Sequence, residues 1–367
     1  MNDSSTMLLI GVGTAGCTIA RGVSRAFGDG LRYTLVDTDA TTGAQGDPFT
    51  LLGGDRLSGR GAGGDTVAAR LAAEESIQLL DERIEGVRLA FIVAALGGGT
   101  GGGATLEIVK HLSEHGIPSI VFATLPFNFE GDDRKRRARG IMDMIEEAAN
   151  ATFFLPLDML VQGEDNMNEA MRRAADTVAT GVTLFWRLVE KPGYLRLDTE
   201  RIRHLIANAG RGRFTAVTVQ GPNRAADALD QLVRSKLLTA TVSPVKAILC
   251  GVLAGDDLRL KEIGQIADGI RNAFGKQLAF DLGTVNDEST FSGRLSVVLM
   301  LFEVNAKGEE PTVHSSVLGG RKSRKSKSAL GVGPTGRGRF NNAEPTIWNG
   351  EDLDIPTFVR RNINLDF

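Results

Sequence analysis

Seven consecutive residues, Gly97-Gly98-Gly99-Thr100-Gly101-Gly102-Gly103, hold six glycines and one hydroxyl. A backbone free of Cβ atoms can approach phosphate oxygens, take positive φ and turn its N–H groups into an anion-binding concavity. Phosphate gripping is the chemistry such a run serves. No Gly-Lys-Ser/Thr ending follows, so it is not the usual phosphate-loop signature. A second pattern, Gly11-Val12-Gly13-Thr14-Ala15-Gly16, matches G-x-G-x-x-G, and Asp37 falls 21 residues after Gly16. Alone it reads either as a dinucleotide (NAD) fingerprint or as a plain strand-to-helix turn. Two such loops close together favour a nucleoside di- or triphosphate over NAD. His111 and His115 are four apart, with Glu107 a turn earlier, which is a spacing metals use. The sequence offers no third ligand, and cations near a helix end closed by Gly116 are favourable in any case, so no metal site is expected.

Secondary structure must aim these groups. Leu89–Ala94 is an apolar run that reads as a buried strand, and Leu106, Ile108, Val109 and Leu112 read as one face of a helix. A strand, a glycine loop and a helix in that order point the helix's unpaired N–H groups and positive dipole end at the loop. A flexible linker would not be bracketed so tightly. Met7–Ile10 is a short strand before a helix reaching about Phe27, and Tyr33–Val36 is the next strand. A helix is predicted over Thr66–Ile84 after the loop Gly59–Asp65, and a strand over Ser119–Thr124. A long helix follows from about Glu169 to Val189, in which Thr183–Leu188 is apolar enough for core. Beyond Arg213, strands at Thr215–Val219, Val245–Leu253 and Leu295–Phe302 alternate with helices at Ala225–Ser235 and Leu260–Phe274.

With 367 residues, 42% hydrophobic and 24% charged, the chain suits about two globular domains. A net charge of −3 gives no reason to expect nucleic acid. Cys17 and Cys250 are too few for a disulfide framework, so a reducing cytoplasm fits. The first residues lack a basic leader, and no apolar run approaches the roughly 18 residues of a membrane helix. Arg321–Phe340 holds seven Lys or Arg and no acid amid Gly, Ser and Pro, and is expected to be a disordered basic linker.

Gly-Gly-Gly-Thr-Gly with further glycine resembles the phosphate-gripping loop of the tubulin and FtsZ superfamily, and the chain resembles FtsZ more than tubulin. Gly11–Gly16 with Val36-Asp37-Thr38-Asp39-Ala40 looks like that family's first loop and its Asn-Thr-Asp-Ala. Leu125-Pro126-Phe127-Asn128-Phe129-Glu130-Gly131 with Arg134 resembles Lys-Pro-Phe-x-Phe-Glu-Gly-x-x-Arg, whose two Phe positions here are expected to pack. The resemblance implies nucleotide-binding roles for Gly13, Thr14, Ala15, Gly16 and Thr18, and for Gly61, Ala62 and Gly63 as the loop that senses the terminal phosphate. It implies the same for Gly97, Gly98, Gly99, Thr100, Gly101 and Gly102, for Pro126, Glu130 and Arg134, and for Met171 and Ala175 at the base.

Lys191-Pro192-Gly193-Tyr194-Leu195-Arg196-Leu197-Asp198-Thr199-Glu200-Arg201 resembles the FtsZ loop that supplies two acids to the next subunit's nucleotide. Asp198 matches the first acid, and Arg201 stands at the second. Asp198 equally suits the N-cap of a helix over Glu200–Ala209. Asp198 alone, Glu200 turned inward, or Arg201 as a phosphate-stabilising finger are the three catalytic arrangements open. At guanine-reading positions Thr18 and Leu157 replace Asn, Met171 replaces a stacking Phe, and Ala175 replaces an acid with Asp176 beside it, which leaves the base open. Asp354, Ile355, Pro356, Phe358 and Arg360 match the terminal peptide Leu-Asp-Ile-Pro-x-Phe-x-Arg, implying a docking segment for a membrane-tethering division protein.

The expected fold is α/β, a Rossmann-like nucleotide-binding domain joined by a central helix to a second, smaller α/β domain, as in tubulin and FtsZ. The divisions are 1–168 for GTP binding, 169–190 for the central helix, 191–304 for the second domain with the catalytic loop at its start, 305–350 for the linker and 351–367 for the partner peptide. The resemblance implies a cytoplasmic GTPase at the division site that uses GTP/GDP with Mg2+ and polymerises head to tail. Two alternatives stand beside it: a nucleotide-bound filament scaffold without turnover, and an NAD-dependent Rossmann enzyme.

Overall fold

Met7–Val12 carries no polar side chain and is buried throughout, as a parallel strand covered by helices on both faces must be. The computed structural model describes residues 6–28, 30–43, 46–161, 166–191, 193–197, 199–207, 209–239, 244–303, 347–348 and 351–352. The strands of its larger unit, which ends at Glu309, are β1 (Met7–Val12), β2 (Tyr33–Asp37), β3 (Phe49–Leu51), β4 (Leu89–Ala95), β5 (Ser119–Leu125), β6 (Ala151–Pro156), β7 (Gly210–Gln220), β8 (Val245–Ala254), β9 (Ala279–Asn286) and β10 (Arg294–Glu303). Its helices are α1 (Gly13–Phe27), α2 (Gly54–Leu57), α3 (Thr66–Ser76), α4 (Asp81–Ile84), α5 (Gly99–Glu114), α6 (Asp132–Ala148), α7 (Leu157–Leu160), α8 (Met167–Glu190), α9 (Thr199–Ile206), α10 (Arg224–Val233), α11 (Lys236–Thr239), α12 (Leu260–Phe274) and α13 (Glu288–Phe291). In the second unit, residues 310–367, Ile347–Trp348 pairs antiparallel with Glu351–Asp352.

One sheet in the order β3-β2-β1-β4-β5-β6-β7-β10-β8-β9 runs through the larger unit. Strands β1 to β6 pair in parallel, and β7 carries the sheet across: its start pairs with β6 at Gly210–Gly212, and from Gly212 to Gln220 it pairs antiparallel with β10. Two α/β halves are joined edge to edge, as the α/β alternation predicts. Helices α1 and α8 cover one face of the first half, where Val23, Val182, Phe185 and Trp186 pack on Phe91, Phe122 and Phe153. On the other face α3, α5 and α6 pack Ala73, Leu106, Val109 and Ile141 on Ile10, Ile92 and Val121. In the second half α10 and α12 press Leu232, Ile266 and Ile270 on Ile248, Val252 and Leu299. Each fully buried large apolar side chain contributes about 1.5–3 kcal/mol.

Three helices around the cleft differ from the sequence reading. Four of the loop's glycines are helical, because α5 begins at Gly99. Helix 66–84 is broken by a 3-10 turn at Ile77–Leu80, where Ser76 Oγ bonds back to Ala72 O (2.7 Å) and accepts from Gly53 N (2.8 Å). Helix α8 starts earlier than expected because Asn166 caps it: its side chain accepts from Glu169 N (3.1 Å), and the Glu169 carboxylate from Asn166 N (3.4 Å). Among the described residues no helix is long and apolar enough to cross a membrane.

Thr183–Leu188 is buried throughout, as expected from its composition. It includes Arg187, only 8% exposed, whose guanidinium lies 5.2 Å from the Phe27 ring centre and donates to Ala26 O (3.4 Å), Thr290 Oγ1 (3.3 Å) and Asp287 Oδ2 (3.4 Å). One side chain of α8 therefore ties α1 to the turn after β9. Hydrogen bonds from Ser289 and Thr290, with Lys191 nearby, hold the Asp287 carboxyl below its ordinary value of 3.8. A depressed carboxyl stabilises the fold above its ordinary value and loses that contribution as the pH falls through the depressed one. Asp287→Asn is therefore expected to lower the melting temperature by a few degrees at pH 7, with the difference from wild type shrinking below about pH 4 in thermal melts.

Candidate functional site

The carboxyl ends of β1, β4 and β5 and the starts of α1 and α5 enclose a cleft of about 470 Å3, a volume suited to a small-molecule ligand. Backbone contact sets its shape. A Cβ on Gly16 would stand 2.3 Å from Val93 O, one on Gly101 2.0 Å from Ala95 O and one on Gly103 2.2 Å from Thr66 O. These glycines let α1 and α5 sit directly on β4 and α3. Gly13, at φ +71, brings the first loop against the second, since its Cβ would lie 3.1 Å from Gly101 N. Around Gly98 there is open space instead. The two glycine loops form one cradle with the N-terminal end of α5 behind it, and the unpaired N–H groups there suit phosphate.

The cleft brings together Gly13, Thr14, Ala15, Gly61, Ala62, Gly63, Gly98, Gly99, Thr100, Gly101, Pro126, Glu130, Arg134 and Met171 of the predicted set. Gly16, Thr18, Gly97, Gly102 and Ala175 do not line it: Thr18 Oγ1 bonds back to Thr14 O (2.9 Å), and Ala175 packs on the core. Asp37 is buried, with both oxygens engaged: it accepts from Thr14 Oγ1 (3.1 Å), Thr42 Oγ1 (2.7 Å) and Thr38 N (2.8 Å). The ribose-binding role that a dinucleotide reading gives Asp37 is thereby taken up by the protein itself. Thr38 in turn bonds Thr100 across the loops (Oγ1 to Oγ1, 2.7 Å). Cys17 lies under the first loop, and burial pushes its thiol up to about 12, so it is no nucleophile.

Glu130 is braced at the rim, accepting from Phe127 N (2.9 Å) and pairing with Arg134. Phe127 is buried as expected, whereas Phe129 packs only by stacking on Phe127 and stays 63% exposed. Sequence reading missed Arg137, whose Nε donates to Gly97 O (3.0 Å) and braces the loop from α6. It sits three residues after Arg134, on the same helix face, and that spacing was the available signal. Asp39 and Arg60, also in the lining, were missed as site residues; they form the bridge that ties β2's end to the Gly61 loop.

Residues 6–163 match the family model described as Tubulin/FtsZ family, GTPase domain, and residues 210–305 match FtsZ family, C-terminal domain. The chain belongs to the tubulin/FtsZ family. Its fold is similar to that of an empty FtsZ dimer from M. jannaschii (TM-score 0.76, 23% identity, 82% of this chain and 88% of that one). It is also similar to CetZ2 from Haloferax volcanii, a GTPgS-bound protofilament (TM-score 0.67, 22% identity, 81% and 92%), and to TubZ of Clostridium botulinum phage c-st (0.61, 13%, 82% and 93%). The two-loop cleft therefore lies in the GTPase domain of a tubulin/FtsZ-family protein.

The predicted catalytic residues of the 191–201 segment lie elsewhere on the chain. Residues 193–195 run along β9, with Gly193 N donating to Thr284 O (2.6 Å), Leu195 N to Thr284 Oγ1 (3.0 Å) and Thr284 N to Leu195 O (2.9 Å). Glu200 pairs with Arg88 and with Arg203 (3.1 Å), and Arg201 Nε donates to Asp281 Oδ1 (2.7 Å). Asp198 lies outside the described residues, as do Asp354, Ile355, Pro356, Phe358 and Arg360. Arg88 immediately precedes β4, whose far end enters the cleft, so Glu200 stands at the opposite end of the sheet. Helix α8 spans the same separation: Met171 near its start lines the cleft, and its 24 residues reach ~36 Å to the loop.

Proposed function

We propose that this tubulin/FtsZ-family protein is an FtsZ-like GTPase of bacterial cell division that polymerises head to tail in the cytoplasm and hydrolyses GTP, with Mg2+, where the 191–201 loop of one copy meets the cleft of the next. The observation that carries this reading is the split site: phosphate cradle and acid-bearing loop stand at opposite ends of one sheet, about one long helix apart. A neighbour stacked end on end would unite them. The match to an FtsZ C-terminal domain and the protofilament described for CetZ2 support the same reading. In the cleft the chain's own groups hold phosphates on backbone N–H groups and place Arg134 and Glu130 at the rim, and hydrolysis rests on Asp198 orienting water. Residues 351–367 would dock on a membrane tether through Ile355, Phe358 and their neighbours.

Purified protein pelleted with GTP, ATP, GDP or no nucleotide, with released phosphate counted in the same tubes, tests the proposal. GTP is expected to give both polymer and phosphate. Polymer without phosphate would instead make the chain a nucleotide-bound scaffold, a reading that Arg201 at the second acid position keeps alive. No polymer with any nucleotide would sink the assembly proposal.

The base end of the cleft predicts loose discrimination. Leu157 and Met171 line it, Thr18 turns away to its own helix and Ala175 faces the core. Apolar walls reject a wrong polar group by only about a hundredfold, against 10,000-fold or more for dedicated hydrogen-bond partners. GTP is expected to outcompete ATP by no more than about a hundredfold in displacement of a fluorescent guanine nucleotide.

A further inference from the structure

The two histidines that the sequence leaves without a third partner acquire one in the fold. Asp81, the first residue of α4, meets the last turn of α5, so that one ligand atom each from Asp81, His111 and His115 lies within 4.8 Å of the others. His111 is buried, and its Nε2 sits 2.8 Å from Asp81 Oδ1. Glu107, the acid nearer in sequence, pairs with Lys110 instead. The Nδ1 of His115 is taken by His111 O (2.8 Å), which fixes the ring and leaves Nε2 as its ligand atom. A backbone carbonyl that holds a ring by its other nitrogen is the usual support of a metal-binding histidine.

We propose that Asp81, His111 and His115 form a site for a divalent transition-metal ion of the zinc class, distinct from the Mg2+ expected with nucleotide. Two imidazoles and one carboxylate suit zinc, cobalt or nickel, and the nitrogen donors disfavour magnesium and calcium. Zinc held at about 2.0–2.2 Å by each donor puts tetrahedral ligand atoms roughly 3.4 Å apart. The exposed Asp81 side chain can rotate to that spacing around the buried His111, with the His115 ring held on His111 O. Water or a group from another molecule fills the fourth position. The ion would clip α4 to the carboxyl end of α5, about 24 Å from the phosphate cradle at the helix's other end.

The test uses the full chain, stripped with chelator and free of nucleotide, and titrated with Co2+ followed by optical absorption and with Zn2+ followed by thermal melting. Wild type is expected to bind one Co2+ with the intense visible bands of a tetrahedral site, and to melt higher with Zn2+. His115→Ala and Asp81→Asn, both at exposed positions, are expected to keep the metal-free melting temperature within a few degrees and to lose at least tenfold in affinity. His204→Ala, an exposed histidine outside the cluster, should bind as wild type does. Failure of wild type to bind at micromolar metal, or equal binding by the His115 and Asp81 variants, overturns the proposal.

Discussion

Gly101→Ala is expected to yield little folded protein, whereas Gly98→Ala, three positions earlier, is expected to fold and bind nucleotide poorly. The difference follows from what each new methyl would meet. At Gly101 it would stand 2.0 Å from Ala95 O, a backbone carbonyl of β4 that cannot turn aside, so α5 must lift off the sheet. Overpacking a fitted interior costs typically 1–3 kcal/mol, and here rigid backbone opposes rigid backbone, which puts the cost at about 3 kcal/mol or more. That is a large share of the stability of an ordinary domain. At Gly98, with φ −86, alanine is unstrained and meets no atom within 4 Å. Its methyl projects instead into the space proposed for phosphate, and nucleotide affinity should fall at least tenfold, about 1.4 kcal/mol. Circular-dichroism melts with titration of a fluorescent GTP analogue separate the two effects. A Gly98→Ala protein that bound nucleotide as wild type does would remove phosphate from the cradle.

Asp198→Ala is expected to cut polymer-dependent phosphate release by about 100-fold to 10,000-fold while leaving nucleotide affinity within about twofold, because an acid that orients water is worth that much and, under the proposed assembly, would act on the neighbour's nucleotide rather than its own. Its neighbours in sequence have partners of their own. Glu200 is held by Arg88 and Arg203, and Arg201 by Asp281. Each would have to surrender a partner before acting. Glu200→Gln should therefore change the rate less than about threefold, against the larger loss at Asp198. Arg201→Asp, which restores an acid at the family's second position, should speed release. Stopped assays at matched polymer mass make the comparison, and an unchanged rate in Asp198→Ala would dismiss that residue.

The glycine cradle was legible because glycine runs are rare and a buried strand and a periodic helix bracket this one. The run did not reveal that its glycines open the helix: Gly101 and Gly103 are needed where α5 sits on β4 and α3, a contact between segments distant in sequence. Strand β9 went unread because Asp281 and Gly283 interrupt its apolar pattern, and the three residues of β3 are too few to show a period. Long-range placement accounts for most of the rest. Asp81 lies 30 residues before His111, and Arg137 lies 40 after Gly97, so no spacing rule brings either pair together.

The strand β7 has a consequence for communication along the molecule. It is hydrogen-bonded to β6 at one end and to β10 along the rest, while Arg187 on α8 grips α1 and the turn after β9. These bonds link the half of the sheet that holds the cleft to the half whose strand β9 carries the loop. Under the proposed assembly, each copy then feels its neighbours on both sides as one stiff lever. On the same proposal dilution alone would switch hydrolysis off, because a lone molecule would hold its fuel at one pole and the means of burning it at the other.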